Sequence, residues 1–474
     1  MAGKGRTGLL VSAFMGTFIA LLDLTIVNVA LPEIQADLRT DVTGLQWVAD
    51  GFTVPLAALM LSGGALGDRF GRKRLFLGGI GLFMAGSVVC AAASGLGVLV
   101  AGRAVQGVAA AIVVPGALSL IGQAEPDPQR RARLMGLWGM FSGLAVISGP
   151  LLGGVLVDTL GWPSIFLVNV PLGLAAVAIG LRSIPESADP AHAALDPAGQ
   201  LAAVAALGSL TYGVIEAREH GWSSPPTLGF LTAAVVAGAL LVVLELRNPR
   251  PMLPVRLFSD ARFAIANAAS VALGFGANGA FFVLTVLYLQ ELRGHSAMAT
   301  GVLLLPMTLA IMPAAVVAGR LTAAFGARRP MVLGYALTGV ALAGMGVLDA
   351  GTPYLAIGAL FVVAGVGQGL AITPAAAAVL EIVPRERTGI ASATVNTARQ
   401  AGTALGIAVL GTVAAGSGGL AAGVRTSLVA AGAVVLAAAA LLVLMPGRGS
   451  HPRSTSVSPR ADAGIPRPGR PAGT

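Results

Sequence analysis

The chain has 474 residues, 55% hydrophobic and only 11% charged, with 65 glycines and a mean hydropathy of +0.84. A water-facing surface cannot be built from so few charges, and the glycines show no three-residue collagen period, so a polytopic membrane protein remains. The net charge of +9 would suit a nucleic-acid partner only if the basic residues shared one soluble face; they fall instead in short clusters between apolar runs, and no such partner is expected.

A spanning helix needs about 20 mostly apolar residues. Fourteen such segments can be read, at 8–32, 44–66, 75–93, 95–121, 134–157, 164–182, 198–217, 227–246, 263–290, 297–318, 330–349, 353–380, 388–413 and 421–445. The ten-residue alternation of barrel strands is absent. The first segment is too long for a signal peptide, contains Asp23 and lacks an evident cleavage site. The predicted fold class is an all-α membrane protein. A six-helix half covers 8–182, two additional central helices occupy 198–246, and a second six-helix half covers 263–445. The stretch 446–474, rich in Pro, Gly, Ser and Arg, cannot bury a core and is expected to be a disordered cytoplasmic tail.

The connections carry a charge bias. With the N-terminus placed in the cytoplasm, the outer side holds only Arg39, Arg218, Arg293 and Arg425. Arg103 and Arg399 fall inside spans, and the other 24 of the 30 basic residues lie on the inner side. Positive charge retained inside predicts both termini in the cytoplasm. Only Lys4 and Lys73 are lysines, and with the abundance of Ala, Gly, Pro and Val this usage suits a GC-rich bacterial genome, hence a bacterial cell membrane. Cys90 is the only cysteine, so no internal disulfide can form, and four scattered histidines give no metal-ligand spacing.

A faint internal repeat supports the two halves. Gly64–Arg74 reads GALGDRFGRKR and Gly319–Arg329 reads GRLTAAFGARR; they align at Phe70–Gly71 and Phe325–Gly326. Arg103-Ala-Val-Gln106-Gly107 is echoed weakly by Gly367-Gln368-Gly369. Chance similarity of Gly/Ala-rich helices is the competing explanation, and duplicated halves are a transporter signature.

The segment GGALGDRFGRKR, Gly63–Arg74, resembles the loop motif between the second and third helices of the major facilitator superfamily. On physical grounds alone it is a tight glycine turn with a topology-setting basic cluster. Its peculiarity is Asp68 inside a basic run, where a carboxylate can pair with Arg or meet a neighbouring helix N-terminus. The resemblance implies that Gly67, Asp68, Arg69, Gly71 and Arg72 form a conformational latch. Further stretches narrow it: Leu22–Pro32 (LDLTIVNVALP), Gln46–Leu61 (QWVADGFTVPLAALML), Arg103–Gly107 (RAVQG), Ser142–Leu156 (SGLAVISGPLLGGVL) and Ile165–Gly173 (IFLVNVPLG). Over about 1–445 the chain looks like the fourteen-span drug:proton antiporters, the group containing quaternary-ammonium and methylenomycin efflux pumps. Ala323 stands where Asp68 stands in the first half, so any latch is asymmetric. Gly143, Gly149, Pro150, Gly153 and Gly154 resemble the fifth-helix motif associated with antiport; close packing of small residues is the plainer reading.

Ionisable residues inside spans are costly and usually functional. Asp23, Asp50 and Arg103 fall roughly 9–14 Å below the outer surface at 1.5 Å per residue, where they could form one buried cluster. Burial disfavours the charged form of an unpaired carboxylate, so such a group can exchange protons. Two plainer readings stay open: Asp50 solvated at the interface near Trp47, and Asp23 paired structurally with Arg103. Arg399 lies nearer midplane, facing the cavity or capping a neighbour. Glu216 and Glu245, near span ends, read as snorkelling side chains. No GxxxxGK[ST], GxSxG or HExxH motif occurs, so neither an enzyme nor a cofactor is expected, and uphill transport must draw its energy from an ion gradient. The expected function is export of amphipathic drugs or antibiotics, cations among them, in exchange for protons by a monomer. A proton-independent facilitator is the alternative within transport; a channel or a membrane enzyme is the alternative outside it.

Overall fold

The structure is a computed structural model that describes residues 3–445 except 126, 189–195, 249–250, 254, 349–350, 381–387 and 417. The stretch 446–474, and with it the expected disordered tail, lies outside the described residues. Every regular element among the described residues is helical, as a lipid environment demands, since a helix satisfies its own backbone. The long helices are α1 (Gly3–Leu38), α2 (Val42–Phe70), α3 (Arg72–Ala91), α4 (Leu96–Ala124), α5 (Pro128–Leu160), α6 (Ser164–Ser183), α7 (Pro197–His220) and α8 (Pro225–Arg247). They continue as α9 (Ala261–Leu292), α10 (Ala297–Phe325), α11 (Arg328–Val347), α12 (Tyr354–Leu380), α13 (Thr388–Ala414) and α14 (Leu420–Val443).

Among the described residues, 13 helices are long and apolar enough to cross a membrane. The remaining one, α13, has 27 residues, about 40 Å at 1.5 Å per residue. Its length suffices, but Thr394, Asn396, Arg399, Gln400 and Thr403 make it polar. Its surroundings explain why: α13 packs against α2, α7, α9, α12 and α14, so it faces protein on most sides.

Side-chain caps fix several helix starts. Asp41 accepts from the Gly44 amide at 3.0 Å, Asp196 from Gly199 at 2.8 Å, and Ser296 from Ala299 at 3.2 Å. Asp260 opens α9 by accepting from the Arg262 amide at 2.8 Å, and the Arg262 side chain beside it holds its carboxyl below the usual range. Inside α9 two π-helical stretches, Gly274–Asn278 and Val283–Leu292, widen the coil.

The packing among α1–α6 recurs among α9–α14. In the first set α2 and α3 pack on α4, α1 on α5 and α6, and α3 on α6. In the second, α10 and α11 pack on α12, α9 on α13 and α14, and α11 on α14. The aligned loops agree in detail. Lys73 Nζ donates to the Leu181 carbonyl at the end of α6 at 2.8 Å, and the aligned Arg328 donates through Nε to the Leu442 carbonyl at the end of α14 at 3.1 Å. Gly71 and Gly326 both turn with positive φ, +103° and +79°. The two sets meet through α2 on α13 and α5 on α10, with the α7–α8 hairpin seated against α2 and α13.

Candidate functional site

A cavity of about 2270 Å³ lies between the two sets of helices. Exposed Arg131, Arg247 and Arg256 mark its mouth, at the end of the bundle that carries Asp68. Its lining is mainly apolar and includes Met60, Met135, Met140, Met252, Met307 and Met312. Thioethers on flexible stems adapt to ligands of different shape.

The opposite end is closed by two crossings. At α2–α13, buried Gln46 donates through Nε2 to the carbonyls of Ile407 at 3.0 Å and Ala408 at 2.7 Å, beneath Gly411. At α5–α10, a Cβ on Gly154 would stand 2.5 Å from Met298 Cα and 2.6 Å from the Ala297 carbonyl oxygen. On the facing helix, a Cβ on Gly301 would run into the Pro150 carbonyl. The Met298 amide donates to Asp158 Oδ2 at 3.1 Å, so a carboxylate from α5 sits on the N-terminus of α10. Gly149 and Gly153 turn the other way, onto Thr25 and Ile26 of α1, with Ile26 Cγ1 only 2.8 Å from a Cβ on Gly153. Gly143 differs: it lines the cavity, and only Met312 Cε, at 4.0 Å, approaches a Cβ there. The five residues of the α5 motif therefore divide between an anchor to α1, a crossing with α10 and an open wall.

The three charges expected at one depth separate into a pair and a lone group. Asp23 is fully buried and forms an ion pair with Arg103, itself 1% exposed. Arg103 also donates through Nε to the Val48 carbonyl at 3.1 Å and through Nη1 to Gln106 Oε1 at 2.9 Å. Its guanidinium lies 4.6 Å from the Phe52 ring centroid. Asp23 Oδ1 accepts from Gln106 Nε2 at 3.0 Å and from Asn169 Nδ2 at 3.1 Å, and Gln106 donates to Ser87 at 2.9 Å. One network thus ties α1, α2, α3, α4 and α6. Arg103 reaches the cavity wall, while Asp23 stands behind it. Asp50 is equally buried, yet its Oδ1 accepts only from its neighbour Thr53, at 2.7 Å, and its Oδ2 has no partner among the described residues. Solvation of Asp50 at the interface is therefore not what the structure shows.

At the cavity mouth, Asp68 accepts from Arg72 Nε at 2.6 Å, and the exposed Arg69 guanidinium lies 5.8 Å from the Phe70 ring centroid. Of the two partners the sequence allowed Asp68, the structure shows the Arg, while Glu186, after α6, occupies the N-terminus of α3. It accepts from the amides of Lys73 at 3.1 Å and Arg74 at 3.3 Å, and its Oε1 would lie 2.7 Å from a Cβ on Gly71. Gly67 closes the turn by accepting from the Gly71 amide at 3.1 Å.

Arg399 lines the cavity from α13 and donates through Nη2 to Asn396 Oδ1 at 3.2 Å, one helical turn away. Glu216 accepts from Trp47 Nε1 at 3.4 Å, whereas Glu245 does not snorkel to water: it is 2% exposed, beside Asp196 at the cavity mouth. Gln46, Gln106 and Asn169 fall inside motifs quoted from the sequence but were given no role there, and Ser87 and Glu186 were not singled out, because neutral polar residues in a span and a lone acid in a loop have no distinguishing spacing.

Known proteins are similar to this chain. The sequence profile described as Major Facilitator Superfamily matches residues 13–407. The multidrug resistance protein Stp of Mycobacterium tuberculosis is 36% identical over 406 residues, covering 86% of this chain and 75% of that protein. The methylenomycin A resistance protein of Bacillus subtilis is 36% identical over 401 residues, covering 84% of this chain and 85% of its own. Among solved structures, a peptide transporter POT in complex with sulfate superposes with a TM-score of 0.70 at 17% identity, covering 93% of this chain and 94% of the other, a likeness of fold alone.

Proposed function

The chain belongs to the major facilitator superfamily, and from that premise we propose that it is a secondary active exporter of amphipathic drugs or antibiotics, driven by proton antiport. The observation that carries this reading is the large methionine-lined cavity, built between two similarly packed helix sets and closed at one end by glycine crossings. A cavity open at one end is what alternating access requires of a resting state. The relatives named for resistance to multiple drugs and to methylenomycin A support the substrate class.

In this reading the helices form fourteen spans, with α1–α6 and α9–α14 as the halves and α7–α8 as the central pair. Both termini lie in the cytoplasm, and so does the cavity mouth. The protein works as a monomer without a cofactor. Asp23 is the coupling carboxylate. A proton on Asp23 would remove the charge that holds Arg103, and the network through Val48, Gln106, Ser87 and Asn169 would pass that change to four other helices. Asp50 is the second proton-exchanging candidate. Asp68 with Arg72 latches the cytoplasmic end, and Gly149, Pro150, Gly153 and Gly154 let α5 roll between α1 and α10.

Growth of cells with and without the gene across a panel of toxic compounds tests the proposal. Protection is expected against some of them, and it should vanish when a protonophore collapses the gradient. Protection that survives the protonophore would remove proton coupling; protection against none would remove export.

A further inference from the structure

The charges on the cavity wall are unevenly placed. Its lining carboxylates, Asp68, Asp196 and Glu245, all sit at the mouth. The deep lining charges are both guanidiniums, Arg103 and Arg399. Arg103 is offset by Asp23 behind it. Arg399, about 16 Å into α13 at 1.5 Å per residue, forms no ion pair with a carboxylate among the described residues; its neighbours are the neutral Asn396 and the Tyr335 side chain of α11. A partly buried guanidinium on an apolar cavity wall without a carboxylate beside it is unfavourable, and ionisable residues kept at such depth mark substrate paths.

The surroundings of Arg399 are built to hold it. Gly274, in the first π-helical stretch of α9, lies so close to the Arg399 carbonyl that a Cβ there would collide with it. Thr403 donates to the same carbonyl at 3.0 Å and accepts from Asn278 Nδ2 at 3.1 Å. Gln400, 3% exposed, lines the cavity next to Arg399, and its Oε1 has no partner among the described residues. A cation on a closely packed stretch of backbone and an unanswered amide oxygen therefore share one wall.

Building on the exporter reading above, we infer that Arg399 and Gln400 form the polar subsite for substrate, and that the favoured substrates are organic anions. Such a molecule carries a carboxylate or an acidic enol for the guanidinium, a hydroxyl for Gln400, and an apolar body for the methionine lining. Arginine suits this role because its planar fork meets a carboxylate through two parallel hydrogen bonds. Sequence alone allowed cations, through Asp23 and Asp50, but neither carboxylate lines the cavity. Expulsion of an anion is also favoured by an inside-negative potential, the same potential that draws protons in.

Fluorescein and rhodamine 6G share a xanthene body and differ in charge, which makes them a matched pair of probes. Their binding to the full-length chain in phosphatidylcholine nanodiscs at pH 8 is read by fluorescence polarisation. Fluorescein should bind roughly tenfold tighter than rhodamine 6G, Arg399→Gln should remove that advantage, and Arg399→Lys should keep part of it. Rhodamine 6G binding should survive Arg399→Gln, which shows that the variant is folded. A wild type that prefers rhodamine 6G, an Arg399→Gln variant that binds fluorescein undiminished, or binding of neither dye would overturn the inference. Proton-driven efflux of rhodamine 6G with fluorescein ignored would sink the anion subsite and spare the exporter. Arg399-dependent fluorescein binding without any proton-driven movement would do the reverse.

Discussion

Replacing Asp23 by Asn removes one of two opposite charges from a site that water does not reach. Asp23 is fully buried and Arg103 is 1% exposed, so solvent cannot screen what is left. Breaking a buried ion pair by deleting one partner costs about 3–5 kcal/mol. The stranded guanidinium keeps the Val48 carbonyl, Gln106 Oε1 and the Phe52 ring, which places the Asp23→Asn cost near the lower end, about 3 kcal/mol. Arg103→Gln strands the carboxylate instead, with Gln106 and Asn169 still donating to it. The double variant leaves no unmatched charge. It should be more stable than the sum of the single losses predicts, by about 2 kcal/mol or more, since groups in one network couple. Unfolding titrations in mixed micelles, followed by the fluorescence of the four tryptophans, would measure all four corners of the cycle. Additivity within about 0.5 kcal/mol would refute the pairing as the organising contact of the first six helices.

Other perturbations separate the remaining parts. Asp68→Asn breaks a partly exposed i,i+4 pair worth only about 0.3–0.5 kcal/mol, so assembly should be normal while transport falls and substrate affinity holds; normal turnover would remove Asp68 from the mechanism. Gly154→Ala pushes a Cβ against the α10 backbone, and overpacking of this kind costs about 1–3 kcal/mol. It should part α5 from α10, lower transport and make a cysteine placed at Asn28 reactive toward an impermeant maleimide added outside, with native Cys90 replaced. Gly143→Ala, which meets only Met312 at 4.0 Å, should leave labelling unchanged; equal effects of the two would discard the crossing as a gate. Reporter fusions at Gly449 and Ser223 should read cytoplasm and exterior respectively. An exterior signal at Gly449 reverses the topology, and a cytoplasmic one at Ser223 removes the central pair as spans.

Much of the fold is legible in the sequence because bilayer thickness converts directly into run length. The apolar runs locate the helices, although helices such as α1 continue past them into polar ends. α13 shows where that rule weakens: a helix enclosed by five others need not be apolar toward lipid. The pairing of Asp23 with Arg103 follows from depth, but depth does not give azimuth, and so Asp50 was grouped with them when the structure turns it toward Thr53. The roles of the hydrogen-bonding amides were not legible for a different reason. Gln46 and Gln106 carry no charge, and their importance comes from which backbone or carboxylate they meet across 361 and 83 residues of sequence separation. The π-helical turns of α9 leave no composition signal, since Gly and Ala are abundant throughout.

Proton exchange at Asp23 is the step on which the account depends. In everted vesicles with an acid lumen, adding a substrate found in the growth panel should release lumenal protons from wild type, in proportion to substrate taken up. Asp23→Asn vesicles should show no such release, while still exchanging labelled substrate downhill. Substrate-induced proton release that persists in Asp23→Asn would contradict the assignment of that carboxylate as the coupling group.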